Sequence, residues 1–275
     1  MLKEMLSEPF MQRALTLALL MGPFCALMGV FVTARKLSFF SETLAHSSLT
    51  GVALGFWWGL SDPTFTQILF SVFIAFGVIW LKENTKLLTD AIMAVVLSGS
   101  VAAGVVILSL MKGYRGELHR YLFGDILATG SVQVVAGGII VVLGTLFLFS
   151  KMRSLTLLTL NEELAKVSGV RVRGLNYIFL LFLTLTVAFS VQLLGIILVT
   201  SLLVVPAAAG RNLAHNLRQH LMLGVCIGFF SSGLGVILSY YFDLPCGPVM
   251  ALTSIVFFIL SVLASLVLKV FKRSN

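Results

Sequence analysis

Nine stretches of this chain are apolar with few interruptions, and most are long enough to cross a bilayer as a helix. A helix rises about 1.5 Å per residue, so about 20 apolar residues span a hydrocarbon core of about 30 Å. On that rule helices are expected near 11–33, 37–60, 64–81, 88–111, 132–149, 175–191, 194–209, 221–241 and 248–268. The run 175–210 is too long for one crossing. Gln192, Gly195 and Pro206 interrupt it, so it reads as two short or broken helices and the total as eight or nine spans. The segment 121–130 (YLFGDILATG) is too short to cross and reads as a re-entrant or interfacial piece. The pattern predicts an all-α, polytopic transmembrane helical bundle, with residues 1–275 forming one domain.

Composition agrees. Of 275 residues, 59% are hydrophobic and 11% charged, with a mean hydropathy of +1.05. A soluble domain carries roughly 25% charged residues, so this chain lacks the polar surface that water requires. The net charge of +8 then reads as cytoplasmic loops. The segment 150–174 holds Lys151, Arg153, Lys166, Arg171 and Arg173. Alternation of nine spans places Arg35/Lys36, Lys82/Lys86, Arg211/Arg218 and Lys269/Lys272/Arg273 on the same side. The loops at 61–63 and 243–247, which have no basic residue, fall opposite. The loop 112–120 breaks the pattern with Lys112, Arg115 and Arg120. No dense basic–aromatic face suggests nucleic-acid binding. Cys25, Cys226 and Cys246 form no CxxC pair and no disulfide framework; Cys25 and Cys226 are expected to pack in apolar surroundings. The N-terminus is not expected to be a signal peptide, because Lys3 is offset by Glu4 and Glu8 and no small-residue cleavage site follows a short apolar core.

Against this background, Glu42 and His46 stand out. They are four residues apart inside an apolar run, hence on one face of a helix. His46 lies roughly 14–15 Å beyond the basic boundary at Arg35/Lys36, near the membrane midplane. A carboxylate and an imidazole so placed can hold a divalent cation. Equally, they can hydrogen-bond a neighbouring helix and do nothing more. Asp90 is expected in the first turn of a helix, where the macrodipole favours an acid, and is a weaker candidate ligand. Asp125, in FGD, faces a vestibule or caps a loop. Asp243 belongs to a turn with Pro245 and Gly247, and Cys246 beside it is a minor candidate for a soft metal. His119, His215 and His220 are read as solvated loop residues. The segment NEELAKVSG, 161–169, makes a charged helical face from Glu162, Glu163 and Lys166 within the most basic loop. It is either a solvated helix or a docking element. There is no GxxxxGK[ST] loop, HExxH or GxSxG, so the chain is not expected to be an enzyme or to hydrolyse ATP.

Several segments together resemble the permease subunit of bacterial ABC importers for zinc, manganese and related metals. That family reads RRLSFFxDxLxHASLPGVALG near its start; RKLSFFSETLAHSSLTGVALG occupies 35–55 here. YLFGDILA, EELAKVSGV, VQLLGIILVTSLLVVPAAAGR and DLPCGP follow in the family's order. The resemblance implies a type II importer-like permease in the bacterial inner membrane. It would be a homodimer, driven by a separate ABC ATPase subunit and fed by an extracytoplasmic metal-binding protein. It would hold no permanent cofactor, and Zn2+ or Mn2+ would be its cargo. It places the family's intramembrane acidic-and-His pair on Glu42 and His46. It places the ATPase-coupling pattern within about 150–174, on Glu162, Glu163, Ala165 and Gly169. Three departures bear on the candidate site: the acid is Glu42 rather than Asp, and the Ala and Pro of HASLPG are Ser47 and Thr50. An ion-coupled secondary transporter with Glu42/His46 as a proton relay is the alternative reading of the same pair.

Overall fold

The computed structural model describes residues 8–111, Gly124, Ile126 and 129–274. In chain order the helices are α1 (Pro9–Ala34), α2 (Ser38–Trp57), α3 (Thr64–Asn84), α4 (Thr89–Leu110), α5 (Ser131–Leu160), α6 (Glu162–Val167), α7 (Val172–Leu194), α8 (Ile196–Leu213), α9 (Leu217–Phe242) and α10 (Cys246–Ser274). No strand occurs among the described residues. The expected spans each fall on one long helix. Eight of these nine are long and apolar enough to cross a membrane; the ninth, α2, is the polar one.

Burial sorts the helices into a centre and a rim. Helices α1 and α7 are each 67% buried over their most apolar window, whereas α5 and α10 are 17% buried. Phe65, Phe73, Phe76 and Trp80 on α3 and Val135, Ile139 and Leu146 on α5 are exposed; in a chain of this hydropathy that surface belongs to lipid. The core runs from Met11, Leu17 and Met21 through Phe40 and Leu44 to Phe179, Leu183, Leu202 and Leu203.

Local chemistry sets the boundaries. The Asp62 carboxylate accepts the Thr64 N–H at 3.0 Å and opens α3; the Asn216 side chain does the same for α9 through Gln219 N at 2.8 Å. Asp243 closes α9 in the left-handed region at φ +51°, which Asp tolerates better than most residues. The long apolar run breaks at Gly195, with φ +81° and ψ 161°, a conformation open essentially to glycine. Gly124 packs so tightly against that break that a Cβ on it would overlap the Leu194–Gly195 peptide. Pro206, by contrast, stays inside α8. Most of 121–130, Asp125 included, lies outside the described residues, as does His119.

Two further expectations need correction here. The fifth span does not stop near 149. It continues as helix to Leu160, because 150–160 (SKMRSLTLLTL) contains no Gly or Pro. His220 is not in a solvated loop. It occupies the first turn of α9, is buried, and its Nε2 lies 2.8 Å from the Ala207 carbonyl.

Close packing rests on small residues at crossings. A Cβ on Gly29 of α1 would overlap the Leu203 carbonyl of α8, whereas one on Gly77 of α3 would meet nothing within 4 Å. Gly29→Ala should therefore separate α1 from α8 and destabilise the protein by about 1–3 kcal/mol. Gly77→Ala should be neutral or stabilising by up to about 1 kcal/mol. Thermal unfolding of the two variants in one detergent checks both.

Candidate functional site

Helix α2 carries the candidate site, with α3, α4, α7 and α8 packed against it. Fourteen of its 20 residues are buried, which is why a helix with so many hydroxyls can sit at this depth. The hydroxyls turn inward to carbonyls of their own helix: Ser41 to Ser38 O at 2.7 Å, Thr43 to Phe39 O at 2.8 Å and Ser48 to Ala45 O at 2.6 Å. Packing against α3 is tight at Gly51 and Gly55, where an added Cβ would lie 2.8 Å from Gln67 Cα and 2.6 Å from Pro63 Cβ.

Against α4 the contact is polar. Ser47 Oγ and Ser100 Oγ are 2.7 Å apart, the Thr50 hydroxyl donates to the Ser100 carbonyl, and Gly104 lets the Thr50 side chain approach. Ser47 and Thr50 are the two positions where HASLPG departs from the family's Ala and Pro, and here they stitch α2 to α4. These contacts fix the rotation of α2 about its axis.

That rotation leaves a partly covered stripe on α2: Glu42 and Trp57 are exposed and Phe39, His46 and Leu54 half-buried, with Thr50 buried between His46 and Leu54. His46 borders an open groove of about 600 Å³ walled by Leu97, Ser98, Val101, Ala102, Val105 and Val106 of α4. Eight residues beyond Ser38 in a 20-residue helix, His46 is close to mid-helix. A carboxylate and an imidazole on one turn, beside a nonpolar wall, can coordinate a cation, but only from one side.

The structure does not bring the other candidates to this pair. Asp90 is in the first turn of α4, exposed. The Ser47–Ser100 contact sets the register, so Asp90 lies about five residues below the level of Glu42, or roughly 7–8 Å. Among the described residues no group of three His, Cys, Asp or Glu side chains is placed to hold a metal. Cys246 is buried at the start of α10 with its thiol 3.6 Å from Met250 Sδ, and Cys25 is buried beside Ser190. Cys226, expected to pack, is exposed on α9.

The second element is α6, on the basic side. The Asn161 side chain caps it, accepting from Glu163 N at 2.7 Å and Leu164 N at 3.3 Å. Glu162 pairs with Lys166 at 2.9 Å. Lys166 holds the Glu162 carboxyl below the usual carboxylate range, with Lys82 and Arg35 adding to the effect. Gly169 closes the turn at φ +78°, its N–H on Lys166 O at 3.0 Å. Ala165 is fully buried against its own chain, so it anchors the helix rather than presenting a surface. The outward apolar residues are Leu160, Leu164 and Val167, at 75%, 58% and 88% exposure. Sequence reasoning fixed on the charges and missed these three. The signal was available: in EELAKV, Leu164 and Val167 are i,i+3 neighbours on one face.

A bundle of crossing helices with an ionisable pair halfway along its most enclosed polar helix, and a short helix projecting on its basic side, is the architecture of a multi-pass membrane transport protein. The chain belongs to the ABC 3 transport family, which matches residues 7–265. It is 32% identical over 255 residues to the high-affinity zinc uptake system membrane protein ZnuB of Haemophilus influenzae, covering 92% of this chain and 95% of that one. It is 30% identical over 255 residues to the manganese import system permease protein ScaB of Streptococcus parasanguinis, covering 92% and 89%. Among solved structures it is similar to PsaBC from Streptococcus pneumoniae in complex with Fab, with a TM-score of 0.83, 28% identity and 95% coverage of both chains.

The α2–α4 stitch gives a clean stability test. Ser100→Ala leaves the buried Ser47 hydroxyl without its cross-helix partner and should cost about 1 kcal/mol. The Ser47→Ala/Ser100→Ala double variant should lose less than the sum of the two singles, by at least about 0.5 kcal/mol. Thermal unfolding of the four proteins measures that difference.

Proposed function

We propose that this chain is the membrane-spanning permease of an ATP-driven importer of a divalent metal ion, with zinc the first cargo and manganese the second. The observation that carries the reading is the Glu42–His46 pair, on the partly covered stripe of α2, in a member of an ABC transport family. The pair supplies two ligands, while a zinc site takes about four. A second copy of the chain, related by a two-fold axis and facing this stripe, would complete the set with two carboxylates and two imidazoles. Imidazole nitrogen suits zinc, and carboxylate oxygen also admits manganese. The two carboxylates would balance the charge of the ion, lowering the cost of its passage through a medium of low dielectric. Relatives that carry zinc and manganese in their names support this order without deciding it.

In the proposed cycle an extracytoplasmic metal-binding protein delivers the ion on the side lacking basic loops. A separate ABC ATPase, needed because the chain has no phosphate loop, binds the opposite face. Helix α6 is the contact: Leu164 and Val167 provide an apolar docking face, Glu163 a charged rim, and Ala165 and Gly169 the anchor and the turn. Motion of the ATPase subunits would carry α6 and, through it, open the inner side.

The test is elemental uptake by cells expressing the chain with its ATPase and binding protein. The wild type should accumulate zinc or manganese. Glu42→Ala and His46→Ala should each lose at least about tenfold in uptake while still assembling, and normal uptake by His46→Ala would sink the site assignment. Accumulation that persists with a hydrolysis-dead ATPase would instead favour an ion-coupled carrier.

The coupling face has its own readout. A Leu164→Glu/Val167→Glu variant should fold normally, since both residues are exposed, yet bind the ATPase at least about tenfold more weakly in copurification from detergent.

A further inference from the structure

A cavity of about 470 Å³ lies on the basic side, away from the metal pair, where the α1–α2 junction meets the ends of α3 and α5 and the starts of α4, α6 and α7. Its cationic lining is Arg35, Lys36, Lys82 and Arg173; its acidic lining is Glu83 and Glu162. Four cations thus face two carboxylates; Glu162 acts on Arg35 and Lys82 at longer range, but neither acid makes a close ion pair with a lining cation. Glu162 pairs with Lys166, and Glu83 accepts the Tyr177 hydroxyl at 3.0 Å. The four cations have no ion-pair partner among the described residues.

Arg35 is the centre of the imbalance. Its guanidinium is held by neutral groups: one nitrogen, Nη2, donates to the Asn176 side-chain oxygen, and the ion lies 4.9 Å from the centre of the Phe179 ring. The other terminal nitrogen, Nη1, is buried with no hydrogen-bond partner among the described residues. Burial pulls the group down to about 10, with Glu162 partly offsetting the shift. A half-buried cation with one buried, unmade hydrogen bond is costly unless a charge of opposite sign comes to it.

We infer that this cavity is a binding site for a phosphate-bearing anion, held by Arg35, Lys36, Lys82 and Arg173. Guanidinium and ammonium groups together match the charge and the several acceptor oxygens of a phosphate. Two sources share that chemistry, an anionic phospholipid headgroup and free inorganic phosphate. The setting favours the lipid, because basic pockets between helix ends on the cytoplasmic side are where anionic headgroups reside. An anion there would join the chain just ahead of α2 to the start of α6, and so stiffen the link between the metal-bearing helix and the docking helix.

The experiment is native mass spectrometry and thermal unfolding of the full-length chain in detergent. Phosphatidylglycerol, phosphatidylcholine and inorganic phosphate are added in separate arms. Retention of phosphatidylglycerol with a raised unfolding temperature, and neither effect from phosphatidylcholine, is the expected result. An equal shift from inorganic phosphate alone would keep the site and assign it to the free ion. Lys82→Gln/Arg173→Gln removes two exposed lining charges without touching the buried core and should weaken binding roughly thirtyfold. Lys151→Gln/Arg153→Gln removes the same charge elsewhere on the basic side and should leave binding intact. Arg35→Gln should abolish it; if that variant fails to fold, the Lys82/Arg173 pair decides alone. Absence of binding in all three arms, or equal loss in the control pair, overturns the proposal.

Discussion

The bundle is organised by the need to keep one polar helix inside a membrane. Helix α2 holds Ser41, Thr43, Ser47, Ser48 and Thr50 along with Glu42 and His46. In lipid each unpaired hydroxyl or charge is penalised. The solution is enclosure: α3, α4, α7 and α8 pack around α2, and the hydroxyls bond to carbonyls of their own turn or to Ser100. Enclosure needs close approach, which explains the glycines at the α2–α3 and α2–α4 crossings. What remains partly open is a single stripe. Its two ionisable residues, Glu42 and His46, are therefore within reach of a second body, together with Trp57.

The same arrangement links the basic side to the middle of α2. Arg35 and Lys36 sit between α1 and α2, six or seven residues before Glu42, and line a cavity with Glu162 of α6. Lys36 adopts φ +56°, so the turn into α2 is a sharp and specific one. Helix α6 packs on α5 and α7, and a displacement of it would reach the base of α2 through the α7 residues that line this cavity with Arg35. Packed helices with glycine contacts do not bend gradually. A push at that base would shift α2 as a body, together with α4, to which Ser47 and Thr50 tie it.

Much of this was legible in the sequence because membrane helices write themselves in simple terms. Nine apolar runs gave nine helices, and Gly195 gave the break, since no other residue suits φ +81° with ψ 161°. The Glu42–His46 face followed from spacing alone. Other features depend on long-range contacts that a single sequence does not display. His220 is polar and follows a short hydrophilic stretch, so it reads as solvated; only the fold puts Ala207 O within reach of its ring. Arg35 reads as a boundary charge, and nothing in its neighbourhood of the chain points to Asn176 or Phe179, more than 140 positions away. The extension of α5 to Leu160 was hidden by charge: Lys151 and Arg153 mark the end of the lipid, not the end of the helix.

The incompleteness of the site on one chain is consistent with transport rather than storage. A full ligand set on a single helix face would hold zinc tightly whatever the rest of the protein did, and release would need a ligand to unfold or protonate. Two half-sites on separate bodies behave differently. In the proposed dimer they would bind strongly only while Glu42 and His46 of one copy faced those of the other, and separation of the copies would leave the ion with two ligands. A rigid-body motion then changes affinity without moving any side chain relative to its own helix. Glu42, one methylene longer than the aspartate usual at this place, would let the carboxylate reach further across such a gap. That would favour a wider separation of the two α2 helices in the closed state. The tight, hydroxyl-stitched packing of α2 serves the same end, because a half-site is useful only if its two ligands keep their geometry when the other half departs.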